Sequence, residues 1–522
     1  MPPQKTNAPA QPTAAPAKAA APAQQAVPAS RRTGPAPVQA QAQAKPAAAP
    51  ANAPAAAVPR KAEDPQIQAM REELAKPLPE PRPLPEIKFE EFHKVAKECT
   101  TIKMHGRVSQ VVGLTIESEG PAVQVDELCY IYDRNGGKPV RAEVVGFKAS
   151  KVMLMPLGEL GGIGPGCEVR ATGKPLSIKV GPKILGRVLD GLGNPIDGKG
   201  PLEYETEYPV YAEPPNPFTR PRITRPLSLG VRVIDSCLTF GRGQRVGIFA
   251  GSGVGKSTTL SMIARNTEAS VNVLALIGER GRELRDFIER DLGEAGMKRS
   301  VVVVATSDQS ALVRLKGAYT GTTVAEYFRD QGMDVMLMMD SVTRFAMAQR
   351  EIGLAVGEPP ATKGYTPSCF AKLPKLLERS GTSSKGSITA IYTVLVEGDD
   401  MNEPIADTVR GILDGHIVLN RKIAHKNRYP AVDVLQSVSR LFTEINPKEH
   451  QKAANKLRNV LATYQENEDL INIGAYQKGS NPKVDYAIEK YDDVQKFLGQ
   501  GIFEPAPFET TRARLLEMFG DD

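Results

Sequence analysis

Eight residues constrain this chain more than all the rest: Ala250-Gly251-Ser252-Gly253-Val254-Gly255-Lys256-Ser257, set between the apolar run RVGIFA and the helix-forming run KSTTLSMIARN. A strand, a glycine-rich turn and a helix in that order predict a phosphate-binding P-loop. The glycines let successive backbone N–H groups turn inward around phosphate oxygens, and the helix N-terminus adds its dipole. Lys256 is expected to reach the β- and γ-phosphates, the Ser257 hydroxyl to ligate magnesium, and Thr258 to continue the cradle on the helix. The motif's first glycine is replaced by Ala250. That position ends the strand and does not cradle phosphate, so the loss is expected to be small.

The surroundings fit such a loop. From about residue 230 to 420, apolar runs (RVGIFA, VNVLALIG, SVVVVAT, DVMLMMD, SITAIYTVLV, HIVLN) alternate with helical patterns. That alternation predicts an α/β domain with a mostly parallel sheet and crossover helices. Asp340 ends the run DVMLMMD, where a carboxylate can serve the metal of a P-loop. It can equally cap the helix that begins at SVTRFA, and the two roles do not compete. Glu279 follows VNVLALIG at the same expected sheet edge, in Gly278-Glu279-Arg280-Gly281-Arg282-Glu283. A carboxylate there can orient an attacking water and Arg280 can balance developing charge. Spacing alone leaves this open against a solvated charge run.

The flanks differ in texture. Residues 1–88 read as a disordered Ala/Pro-rich tail and linker, with a short polar helix from Asp64 to about Lys76. The tail supplies +7 of the net charge of +6, so the remainder is close to neutral and a nucleic-acid surface has no support in the folded part. Residues 89–185 carry short alternating runs separated by Gly- and Pro-bearing turns, the pattern of a small β-barrel. A dense set of turn residues, GRVLDGLGNPIDGKG, then leads into the P-loop domain, placed at 186–436. Residues 437–522 show helical periodicity in KLRNVLATYQ and VDYAIEKYDDVQKFL, predicting a C-terminal helical domain.

Several classes are disfavoured. The five cysteines are scattered, without CxxC spacing, which argues against disulfides and zinc and for a reducing cytosol. No histidine pair has ligand spacing. No signal-peptide pattern and no apolar run near 18 residues occurs, so any membrane association is expected to be peripheral.

Read together, GRGQRVGIFAGSGVGKST, LIGERGREL, MMDSVTRFAMAQREIGLAVGEPPATKGYTPS, VLVEGDDMNEPIADTVRGILDGHIVLNR and YPAVDVLQSVSR resemble the rotary ATPase family. The wording MMDSVTRFAMAQ and the Thr of GYTPS are most similar to its flagellar protein-export members, with the injectisome export ATPases as the alternative. The resemblance runs from about Val95 to the C-terminus and leaves the tail outside. It implies a homohexameric ATPase using ATP and Mg²⁺, with Glu279 as the residue that orients water, Tyr429 stacking on adenine and Arg440 reaching into the neighbouring subunit's site. Arg410 is a weaker candidate for interface work. The implied partners are an N-terminal regulator or stator-like protein, a stalk-like protein in the ring pore, the export gate and export chaperones. The implied place is the cytoplasm, peripheral to the inner face of the bacterial inner membrane. Two rivals remain: a nucleotide-binding docking ring with little turnover, and an RNA-translocating hexamer, which would need a basic, aromatic face on the β domain.

Overall fold

A computed structural model describes residues 65–75, 89, 93, 104–134 and 136–520. The tail reading of residues 1–64 and the linker reading of 76–88 lie outside the described residues. The polar helix is present as α1 (Pro65–Leu74), in a first unit, Met1–Lys97. The rest of the description concerns the second unit, Glu98–Asp522.

Six strands, β1 (His105–Val112), β2 (Thr115–Glu119), β3 (Glu127–Tyr132), β4 (Val140–Lys148), β5 (Lys151–Pro156) and β6 (Glu168–Pro175), close into a barrel in the order β1-β2-β5-β4-β3-β6. Their alternation turns Val108, Ile116, Ile131, Val144, Leu154 and Val169 inward to fill the interior. A two-stranded ribbon, β7 (Ser177–Val180) with β9 (Thr206–Pro209), follows the barrel.

The chain then builds one nine-stranded sheet. Its strands are β8 (Val188–Asp190), β12 (Arg245–Ala250), β13 (Val271–Ile277), β14 (Ser300–Ala305), β15 (Asp334–Asp340), β17 (Ser387–Leu395), β18 (Gly415–Leu419) and β19 (Val432–Ser439), with β16 (Gly381–Thr382) paired to β17. The order is β19-β18-β12-β17-β15-β13-β14-β8, parallel except for β19 and β16. A small ribbon of β10 (Pro226–Leu227) and β11 (Phe240–Gly241) precedes the P-loop strand. β13 is buried at every residue, which is why its sequence is unbroken apolar rather than alternating. All six runs expected to be strands are strands. The sheet has three further strands, β8, β19 and the two-residue β16. β8 hides inside the turn-rich segment 186–200, where three strand residues are outvoted by their Gly, Asn and Pro neighbours. β19 carries the sheet through Ser439, past residue 436.

The helices on the two faces are α2 (Arg232–Cys237), α3 (Lys256–Asn266), α4 (Gly281–Asp286), α5 (Gly293–Lys298), α6 (Ala311–Asp330), α7 (Val342–Val356), α8 (Pro367–Leu377), α9 (Pro404–Ile412) and α10 (Arg421–His425). A π-helical stretch, Phe287–Leu292, joins α4 to α5. The C-terminal region is helical as expected: α11 (Phe442–Ile445), α12 (Lys448–Asn472), α13 (Pro482–Leu498) and α14 (Phe508–Phe519). Tyr464 of α12 stacks on Tyr491 of α13 at 3.5 Å between ring centroids. No helix among the described residues is long and apolar enough to cross a membrane.

Candidate active site

β12 lies between β17 and β18 and delivers the P-loop at the carboxyl edge of the sheet; Ala250 is its last paired residue, opposite Leu395 and Leu419. The turn that follows needs glycine for two separate reasons. Gly253 and Gly255 have φ of +78° and +92°. A Cβ on Gly251 would stand 2.6 Å from Asp399 Oδ1 and 2.8 Å from an Arg421 guanidinium nitrogen. Gly255 caps α3 without any side chain, so the first-turn N–H groups are left for the loop's concave side. Val254 is buried and anchors the loop, while Ser252, Ser257 and most of Gly253 face outward.

Lys256 starts α3, and its ammonium is 2.5 Å from Asp340 Oδ1 and 3.6 Å from Glu279 Oε1. Asp340 ends β15 and is itself fixed by Thr393 Oγ1 of β17, which donates to Oδ1 at 2.7 Å. The cap of α7 is Ser341, whose side chain accepts from the Arg344 N–H, so Asp340 keeps its carboxylate for the cluster. Thr393 was not picked out from sequence, because a threonine within a buried strand carries no local signal.

Glu279 follows β13 through Gly278, which has φ +70°. Its side chain is 27 % exposed, enough to face the cleft but buried enough to push its carboxyl above the ordinary glutamate range. Burial is the first cause and the Asp340 charge adds to it, with Lys256 and Arg344 pulling the other way. Arg280 is not brought to this cluster. It is 74 % exposed and pairs with Glu283 one helical turn on. The reason is local: residue 280 caps α4, so its side chain leaves on the outer face of that helix. Arg344 supplies the nearby positive charge instead, and its position four residues after Asp340 on a helix was a signal available in the sequence.

On the other side of the P-loop, a cleft of about 940 Å³ is lined by Gly253, Gly255, Thr258, Tyr429, Tyr491 and Gln495 among others. The Tyr429 ring lies 3.6 Å from where a Cβ of Gly255 would be and is 42 % exposed, so one face is open to the cleft. Its backbone is held by the C-terminal region: the Gln500 N–H donates to the Tyr429 carbonyl at 2.8 Å. Gln500 is in turn locked by the Arg232 N–H and the Gly230 carbonyl. The contacts of Gln500 with Arg232 and Gly230 join residues more than two hundred positions apart, which local patterns cannot reveal.

Arg440 stands apart from all of these. Ser439, the last residue of β19, pairs with Gly415 at the start of β18, whereas the P-loop leaves the other end of β12, level with Leu419. The two lie at opposite edges of one sheet. Arg440 is exposed there, its N–H bonded to the Asp414 carbonyl. Arg410 is paired with Asp407 at 2.7 Å on α9.

Three family models match the chain in succession: the ATP synthase alpha/beta family beta-barrel domain over 108–173, its nucleotide-binding domain over 230–439, and the T3SS EscN ATPase C-terminal domain over 446–517. The flagellum-specific ATP synthase of Bacillus subtilis is 60 % identical over 423 residues, 80 % of this chain and 96 % of that protein. The type 3 secretion system ATPase of Xanthomonas euvesicatoria is 52 % identical, over 80 % of this chain and 95 % of that one. Among solved structures, the assembled ATPase EscN of the enteropathogenic E. coli type III secretion system matches with a TM-score of 0.76 at 45 % identity, covering 79 % of this chain and all of that one. EscN in complex with its central stalk EscO matches with a TM-score of 0.74 at 44 % identity, with the same coverage.

Proposed function

Because this chain belongs to the ATP synthase alpha/beta family, in the branch with a type III secretion ATPase C-terminal domain, we propose that it is a magnesium-dependent ATPase that works as a homohexameric ring in flagellar protein export. The observation that carries the reading is the cluster of Lys256, Asp340 and Glu279 at the mouth of the glycine cradle. The loop N–H groups from Gly251 to Ser257 hold phosphate oxygens, Lys256 balances their charge, and the Tyr429 face receives the base. The Ser257 hydroxyl and Asp340 carboxylate are hard oxygen donors, which suits magnesium. When bound, the ion neutralises charge developing on the phosphate oxygens. Glu279, ionised, orients a water and accepts its proton. Its presence argues for turnover over a docking ring that only binds nucleotide.

The ring would place Arg440 of one subunit in the next subunit's site. A central stalk-like protein in the pore, an N-terminal regulator, the export gate and export chaperones are the proposed partners, with the ring peripheral to the inner membrane. The 60 % identity to a flagellar relative, against 52 % to a secretion-system one, favours flagellar export. The reading is tested by phosphate release from the purified chain with ATP and magnesium, and by deleting the gene. Loss of flagella with other secretion intact is expected; intact flagella would overturn the flagellar assignment.

A further inference from the structure

Behind Glu279, between the sheet and the α4–π-helix segment, lies a cavity of about 160 Å³. Its walls include Leu260, Leu274, Leu276, Phe287, Val304 and Met338, each 9 % exposed or less. Leu274 neighbours Met338 across the β13–β15 pair and Leu276 neighbours Val304 across β13–β14, so the floor is one continuous apolar face. A dry cavity of about 150 Å³ with walls of this kind takes one benzene ring. The rest of the lining is polar: Ser257, Thr306 and five carboxylates against two guanidinium groups, both of which are engaged, Arg280 by Glu283 and Arg290 by Asp291. Asp340 is taken by Lys256 and Thr393. Glu279 has one ion-pair neighbour among the described residues, Lys256 at 3.6 Å, and its side chain is part of the lining.

We propose that this chamber is a binding site for single-ring aromatic amines, the ring seated on the apolar floor and the ammonium on the Glu279 carboxylate. The apolar floor rejects charged or strongly hydrated groups, and the surplus of carboxylates in the lining rejects aryl anions. A bound amine ties up Glu279 and lies beside Ser257 and Asp340, which share the lining, so it lowers turnover. This consequence rests on the ATPase reading above; the binding itself does not.

The test is a titration of the full-length chain, without nucleotide, with 4-fluorobenzylamine at pH 8, followed by ¹⁹F NMR, and the same with neutral 4-fluorotoluene. Saturable binding of the amine is expected, tighter than that of the neutral compound by about tenfold, the worth of one charge-assisted hydrogen bond. Leu284→Trp, which fills the chamber from α4, should abolish binding of both. Glu279→Gln should weaken the amine about tenfold and leave the toluene unchanged. Equal affinity for the two compounds, no binding of either, or binding that survives both substitutions would overturn the proposal. With ATP and magnesium present, the amine should lower the rate of phosphate release. An unmodified chain that releases no phosphate at all would overturn the ATPase reading and leave the binding result standing.

Discussion

Lys256 and Asp340, 84 residues apart in sequence, meet at 2.5 Å because β12 and β15 flank β17 and end at the same edge of the sheet. A parallel sheet puts every strand's carboxyl end on one side, so a loop after one strand and an acid ending another converge without any long-range pairing of their own. Glu279, after β13, joins from the next strand over. Three strands thus bring a cation, a candidate metal-binding acid and a candidate base within one small volume.

From this arrangement, Lys256 and Glu279 should fail in different ways. Lys256→Ala removes charge that holds phosphate in the ground state, so nucleotide affinity should collapse. Glu279→Gln removes a group that acts only as water is activated; ATP should bind normally while turnover falls about 10² to 10⁴-fold. Titration with a fluorescent nucleotide and a phosphate-release assay on each variant separate the two. Brisk hydrolysis by Glu279→Gln would remove it as the base.

Burial raises the Glu279 carboxyl above the ordinary glutamate range, and this fixes the direction of the pH profile. The base works ionised, so the rate should fall with unit slope as pH drops through the raised folded value, at a higher pH than an ordinary glutamate would give. Stability runs the other way. A carboxyl whose folded pKa lies above its unfolded one contributes stability that is fully present below the unfolded value and is lost as pH rises through the folded one. Acid unfolding therefore cannot be the source of a rate loss at this group. Rate measured against pH, with circular dichroism at each point, tests it; a profile centred at the ordinary value would refute the burial argument.

The barrel is tied to the nucleotide domain by an ion pair between Glu143 of β4 and Lys316 of α6, both buried, with Lys316 Nζ also 3.7 Å from the centre of the Tyr211 ring. Removing one partner leaves a buried charge alone. Glu143→Ala should cost about 3 to 5 kcal/mol, whereas Glu143→Leu with Lys316→Met should cost far less, since an apolar pair of similar size avoids the desolvation penalty. Urea unfolding of the three proteins decides this. Equal losses in single and double variants would mean that packing, not charge, dominates the site.

Much of this was legible from residue order. The P-loop, the acid at 340 and the parallel sheet follow from apolar runs that stop at glycine or aspartate, a pattern with one structural solution. What stayed hidden depends on contacts that no window of sequence holds. β8 is three residues long within a glycine-rich segment, and it becomes a strand only because β14 offers an edge to pair with. Arg280 sits in a charge-rich motif beside Glu279, yet its position as the cap of α4 turns it outward, and Arg344, on another helix, takes its place. Gln500, which fixes the Tyr429 backbone, lies in a C-terminal loop whose sequence suggests only a turn.

The position of Arg440 makes a prediction that depends on assembly. It lies at the amino edge of the parallel strands, while its own P-loop lies at the carboxyl edge, and the five residues of β18 separate the two levels. At about 3.3 Å per residue that is on the order of 13 Å along the strand alone. Within one chain, Arg440 and Glu279 therefore should not act on the same phosphate. An arginine that stabilises transition-state charge from a neighbouring subunit contributes about 10³ to 10⁵ in turnover, so Arg440→Ala should be nearly inactive although its own Lys256–Asp340–Glu279 cluster is intact. Glu279→Gln should be inactive for the opposite reason. Mixed rings of the two variants contain some interfaces where an intact Glu279 from the Arg440→Ala chain faces an intact Arg440 from the Glu279→Gln chain. Those interfaces should hydrolyse ATP. The measurement is phosphate release from the two variants assembled together at equal concentration, compared with each alone, with mixed rings confirmed by differential tags. Recovery of a clear fraction of unmodified activity would place Arg440 in its neighbour's site. Confirmed mixed rings with no recovery would point to a role in its own chain, against the geometry of the sheet, or to strict coupling among all sites of the ring.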